Sequence, residues 1–237
     1  MRIIADMHTH TIASGHAYST VNELAAEAAR KGLAAIAITD HGPALPGGPH
    51  EYHFGAIRFI PTHLYGVRLF LGVEANVIDA EGNLDLPESY FGKLDFIMAG
   101  FHERCGFDNH GREQNTETLL KVMANPLVKT ISHPGNPIYP IDQEEVVKAS
   151  LATGTALEIN NSSFSQSRTG SRQYCEALAE LIAHYRSPVI VGSDAHIAQG
   201  VGVFDEALEA LDRAGVAEEQ VVNSSMERLL AFLGIPE

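Results

Sequence analysis

Asp6, His8, His10 and His16 fall within 11 positions near the start of the chain, in DMHTHTIASGH. Side chains two apart on a strand face the same way, so His8 and His10 point together. Neutral imidazoles and carboxylates are ordinary ligands of zinc, manganese or iron. The same residue types recur at the ends of later short apolar runs: His41 in ITDHG, Glu74 in LGVEAN, His102 in MAGFHE, His133 in ISHPGN, and Asp194 with His196 in VGSDAH. The last pair repeats the two-residue spacing of the first. A lone histidine at a strand end is ordinarily a satisfied polar residue, but nine ligand-type residues at such places need a common explanation, and metal binding supplies it. His50, His53, His63, His110 and His184 read instead as surface or structural, with His53 and His110 in loops expected to overhang the same face. Nine ligands exceed one tetrahedral ion. With one carboxylate bridging, three ions with three or four protein ligands each account for them, leaving positions for water and substrate.

Seven strand-like runs must position these residues: Ile3–Asp6, Ala35–Thr39, Arg68–Val73, Asp95–Ala99, Val128–Ser132, Thr155–Ile159 and Val189–Gly192. Between them the 3.6-residue spacing of apolar side chains predicts helices at Val21–Lys31, Thr116–Ala124, Gln143–Ala152, Arg172–Tyr185, Asp205–Ala214 and Ser225–Leu233. Thr20 with Glu23, and Ser224 with Glu227, fit capping boxes. Strands alternating with helices indicate parallel β/α architecture. Ligands converging from many strand ends favour a closed barrel, whose C-terminal face is where barrel enzymes build their sites. The expected fold is a distorted seven-stranded (β/α) barrel formed by residues 1–237 as a single domain.

A length of 237 residues suits such a barrel. With 45% hydrophobic and 19% charged residues, a sizeable core is available and disorder is disfavoured. No apolar run of about 18 residues and no basic-then-apolar leader is found, so a cytoplasmic protein with no membrane partner is expected. Cys105 and Cys175 lie far apart outside any CxxC pairing and read as free thiols. A formal charge of −14 argues against an extended nucleic-acid partner, because phosphate backbones are held by clustered lysine and arginine.

Taken together, DMHTHTIASGHAYST, AITDHG, GVEAN, AGFHE, ISHPGNP, LEINNSSF and GSDAH resemble the PHP (polymerase and histidinol phosphatase) family, and within it the YcdX-type stand-alone phosphatases. The resemblance runs from the first strand to at least His196 and implies a distorted (β/α)7 barrel holding three divalent ions, zinc first, with manganese or iron as alternatives. Carried over residue by residue, it implies that His8, His10, Glu74 and Asp194 hold one ion, that Glu74 bridges to a second held by His102 and His133, and that His16, His41 and His196 hold the third. It further implies phosphomonoester hydrolysis by a hydroxide shared between metals, with Glu74 and Asp194 as the catalytic carboxylates, and a homo-oligomer such as a trimer. A small phosphorylated molecule is the expected substrate.

Asp6 and Asp40, adjacent to ligands, are candidates to orient imidazoles through their second nitrogen. Arg168 and Arg172, beside the helix starting after Ser171, and Arg104, just past His102, are candidates to grip phosphate. Two rival readings exist. An amidohydrolase barrel usually bridges its metals with a carbamylated lysine, whereas the bridging place here holds Glu74 and no strand end offers a lysine. A non-catalytic metal-binding or polymerase-accessory module would be free to lose ligands, and all nine are intact.

Overall fold

The computed structural model describes residues 1–165 and 167–236. Seven parallel strands run in the order β1 (Ala5–Asp6), β2 (Ala35–Ile38), β4 (Val67–Asn76), β5 (Phe96–Gly100), β6 (Thr130–Ile131), β7 (Ala156–Asn160) and β8 (Val189–Gly192). This is the expected barrel, nearly closed. A short β3 (His63–Leu64), which apolar patterning did not reveal, pairs antiparallel with the start of β4 through Tyr65–Gly66. Both turn residues have positive φ, 52° and 79°, as tight two-residue hairpins require.

Helices α1 (Val21–Arg30), α4 (Gln143–Thr153), α5 (Arg172–Tyr185) and α6 (Asp205–Ala214) fall where periodicity puts them. Helix α3 (Arg112–Met123) starts four residues before the expected Thr116, because its first turn is polar and enters from Gly111 rather than from an apolar stripe. The five-residue α2 (Tyr52–Ala56) is too short to show a period. The capping box of Thr20 and Glu23 is present. At α7 (Met226–Leu233) the cap is Ser225, whose hydroxyl accepts from the Arg228 N–H; Ser224 bonds back to the Val221 carbonyl, so the expected Ser224–Glu227 box does not form.

Alternation along the strands divides apolar from polar chemistry. The outward residues of β5 and β7 (Ile97, Ala99, Leu157, Ile159) pack with α3–α6. The inward residues Phe70, Phe96, Met98, Ala156 and Ile190 form a second core that α7 plugs from below with Leu229, Leu230 and Leu233. Burying each such leucine contributes about 1.5–3 kcal/mol. Further along the same inner faces the residues become Glu74, Asn76, Glu158 and Asn160, all buried. The barrel floor is therefore apolar and its mouth polar.

The seam between β1 and β8 is closed by side chains as much as by backbone. At the mouth the Asp194 N–H donates to the His8 carbonyl and the His10 N–H to the Ala195 carbonyl, each at 2.9 Å. Lower down, the Asn223 amide donates to the Ala5 and Val191 carbonyls and accepts from the Val191 N–H, imitating a missing strand residue. Asp6 accepts from the Ser193 N–H and hydroxyl and from the Gly202 N–H. The strands carrying His8, His10, Asp194 and His196 are thus locked to one another. Among the described residues no helix is long and apolar enough to cross a membrane. Both cysteines are free, and burial pushes each thiol up to about 12, which leaves them unreactive.

Candidate metal centre

All nine ligand-type residues converge at the C-terminal mouth of the barrel. His8 Nδ1 donates to Glu158 Oε1 at 2.7 Å and His10 Nδ1 to Ser14 Oγ at 3.2 Å. The Ser14 hydroxyl is spent on Asp40 Oδ1 at 2.7 Å, so toward His10 it can only accept. With both Nδ1 atoms committed outward, the two Nε2 atoms meet across 3.0 Å. His16 and His196 repeat the pattern: each Nδ1 donates to a backbone carbonyl, of Ser14 and Asp194, at 3.0 Å, and the Nε2 atoms face each other at 2.9 Å. A third pair, His102 and His133, brings its Nε2 atoms to 3.2 Å.

Glu74 stands between two of these pairs. Its Oε1 lies 2.8 Å from His133 Nε2 and 3.2 Å from His102 Nε2, and its Oε2 lies 3.1 Å from His8 Nε2 and 3.0 Å from His41 Nδ1. Asp194 directs Oδ1 to His10 Nε2 at 3.2 Å and to His8 Nε2 at 3.5 Å, while Oδ2 accepts from Arg168 and Asn160. Three groups have ligand atoms within 4.8 Å of one another: His8, His10 and Asp194; His10, His41 and His196; and His41, Glu74 and His102. His10 and His41 are shared, and His16 and His133 join the groups through their partners His196 and His102.

This donor set fits divalent cations. Glu74 Oε2, Asp194 Oδ1 and His41 Nδ1 are buried with no hydrogen-bond partner among the described residues, and leaving such a group unsatisfied costs about 1–3 kcal/mol. Two unprotonated ring nitrogens at 3 Å repel one another, and a cation held by both reverses the sign. Burial disfavours a charged His8, yet Glu158, Glu74 and Asp194 outweigh it and hold its pKa well above the ordinary value: the cluster demands positive charge there. Burial lowers His10 and His41, and His133 falls to about 4, so their lone pairs stay available. Burial opposes ionisation of Glu74 and Asp194, but His8, together with the neighbouring imidazoles and, for Asp194, Arg168, keeps both well below the usual carboxylate range. His133 and Asp194 have positive φ, 33° and 58°, a strain of about 1–3 kcal/mol each of the kind that collects at active sites.

The other candidates are placed differently. Asp6 touches no imidazole; it braces the seam, and burial raises its pKa. Asp40 reaches His10 only through Ser14, and its direct imidazole contact is with His53 at 3.4 Å. Of the other histidines read as surface or structural, His50, His63 and His110 lie in exposed positions and His184 on α5. Arg168 lines a cleft of about 770 Å³ over the cluster, together with His16, His41, His102, Asp194 and His196, and is the only lysine or arginine among its described lining residues. Its Nη1 donates to Asp194 Oδ2 at 3.0 Å and to Ser167 Oγ at 2.9 Å. Arg172 instead ties α5 to Glu206 on α6 at 2.7 Å, and Arg104 is exposed and does not line the cleft, although Glu103 does. Sequence reasoning gave no role to Ser14, Glu158 or Asn160. The signal for the last two was present: they end β7 at the same two-residue spacing that marked His8 with His10.

A parallel barrel with buried imidazoles and carboxylates at its strand ends defines the class of barrel enzymes that carry multinuclear metal sites. The chain belongs to the PHP family: the PHP domain model matches residues 6–233. It is 53% identical over 230 residues, 97% of this chain and 95% of the relative, to a protein described as a probable phosphatase from Syntrophotalea carbinolica. Another probable phosphatase, from Caldanaerobacter subterraneus subsp. tengcongensis, is 49% identical over 98% of this chain and 92% of its own. Among solved structures, histidinol phosphate phosphatase from Lactococcus lactis, complexed with zinc, L-histidinol and phosphate, shares the fold with a TM-score of 0.63 at 17% identity, over 90% of this chain and 94% of that one.

Proposed function

We propose that the protein is a phosphatase that hydrolyses small phosphorylated molecules at a site of three divalent ions. The observation that carries this reading is the three inward-facing imidazole pairs, two of them joined through Glu74. His8, His10 and Asp194 would hold one ion, His102 and His133 a second, and Glu74 would bridge the two. His16, His41 and His196 would hold the third. Zinc suits this nitrogen-rich set, as do manganese and iron. The bound cations would supply Lewis acidity and a nucleophilic water at neutral pH. The family, and relatives described as probable phosphatases, support phosphate ester hydrolysis as the reaction.

The chain's own residues do the rest. Glu74 and Asp194 set the negative charge that collects the cations, and each keeps an oxygen free of hydrogen bonds for that purpose. Ser14, Glu158 and two backbone carbonyls fix the tautomers of His10, His8, His16 and His196, so that the Nε2 of each of these four is left to present a lone pair to a cation. Arg168 spends Nη1 on Asp194 and its neighbouring serines and keeps further guanidinium N–H donors for phosphate oxygens. A cleft of 770 Å³ admits a small phosphomonoester, and the −14 charge disfavours long nucleic acid.

Phosphate release from a panel of phosphomonoesters by metal-loaded protein tests this directly, with Arg168→Ala as the informative variant. Loss of a charge-assisted contact costs roughly 1.5–3 kcal/mol, so kcat/KM should fall about 10- to 100-fold. Metal content should hold, because Asn160 still donates to Asp194 Oδ2. A contact equal in ground and transition states raises KM; one made only in the transition state lowers kcat. Parent-like kinetics on several esters would remove Arg168 from substrate binding, and no release from any ester would remove the phosphatase reading.

A further inference from the structure

The inner face of β7 carries a buried carboxylate, Glu158, that is not among the nine ligand-type residues. It is 1% exposed, and no lysine or arginine forms an ion pair with it among the described residues. Its Oε1 accepts from His8 Nδ1 at 2.7 Å. Its Oε2 accepts from the His133 backbone N–H at 2.8 Å and from the Asn160 amide at 3.2 Å. On the neighbouring β8, Gly192, the register partner of Asn160, leaves the necessary space, since a Cβ there would come within 2.2 Å of Glu158 Oε1.

We infer that Glu158 is a positioning residue that couples two of the three metal subsites and leaves the third alone. One oxygen fixes the ring and tautomer of His8 in the first subsite. The other holds the backbone of His133, in the second, at its unfavourable positive φ of 33°. Asn160, held by the same carboxylate, continues the chain of contacts to Asp194 Oδ2 at 3.3 Å. Glu158 makes no contact with His16, His41 or His196. All three of its partners are donors, so both oxygens must accept. Glutamine at this position would set an amide N–H against the His133 N–H or the His8 Nδ1–H, and the isosteric change should therefore be harmful.

The inference rests on the three-ion reading above, and the test separates the two. Metal-free parent, Glu158→Gln and Glu158→Ala are equilibrated with a series of buffered zinc concentrations and their zinc content is measured, alongside thermal unfolding of the metal-free proteins. Loss of an outer-shell partner weakens metal binding by about 10–100-fold. Zinc at two subsites should weaken by that factor in Glu158→Gln while the third titrates as in the parent, so that at intermediate zinc the variant holds about one ion where the parent holds three. The metal-free glutamine variant should still unfold in one cooperative transition, lowered by the buried donor left without an acceptor, and if Glu158→Ala fails to fold, the glutamine variant decides. Parent binding of three ions with a Glu158→Gln titration that overlays it, or with uniform weakening of all three, overturns the inference alone. A parent that binds fewer than three ions overturns the three-ion reading and this inference with it.

Discussion

Glu74→Gln should cut phosphatase turnover by about 100- to 1,000-fold or more, the range seen when one preorganised electrostatic group is lost from an active site. The change keeps volume and shape. It removes a charge whose two oxygens lie within 2.8–3.2 Å of ring nitrogens of His8, His41, His102 and His133. An amide presents one acceptor and one donor, so it can serve the ligands on one side only, and its N–H would face lone pairs on the other. The first and second ions should therefore bind more weakly, and zinc content should fall together with turnover. A loss of a few-fold or less, with zinc content intact, would show that Glu74 does not bridge.

Removal of metal should be equally severe, and its signature is thermal as well as catalytic. An ion present at about 1,000 times its dissociation constant adds about 4 kcal/mol to the native state. For a chain of this size each kcal/mol moves Tm by roughly 2–4 °C. Stripping one tightly held ion with a chelator should thus lower Tm by roughly 8–16 °C and abolish phosphate release, and zinc or manganese should restore both. The physical reason is the set of buried groups, Glu74 Oε2, Asp194 Oδ1 and His41 Nδ1, that no hydrogen bond satisfies among the described residues. Chelated, metal-free protein that still hydrolyses phosphomonoesters at the parent rate would contradict the metal-dependent reading.

The strand ends were the most legible part of the molecule. HxH and DAH at two-residue spacing, with single ligands closing the other apolar runs, were enough to place nine residues around one mouth. The barrel followed from the same pattern. What stayed hidden depended on contacts between residues remote in sequence. Glu158 lies 150 positions from His8, and the two-residue spacing of Glu158 and Asn160 marks a shared strand face without saying which imidazole the carboxylate braces. Ser14 intervenes between Asp40 and His10, so proximity in sequence to a ligand misplaced the role given to Asp40. Asp6, a candidate on the same ground or else a strand-end carboxylate, is the latter and serves the β1–β8 seam, whose closure by Asn223 leaves no local signature. Of the three arginines, Arg168 alone reaches the cleft, a distinction set by a loop whose course apolar periodicity does not encode. The short β3 and α2 fall below the length at which a period can be read.

The central claim, that nine side chains form one three-ion centre, is tested most directly by elemental analysis of purified, catalytically active protein. The account predicts about three divalent ions per chain, with zinc foremost. A reproducible value of one ion or none on protein that retains full phosphatase activity would contradict it.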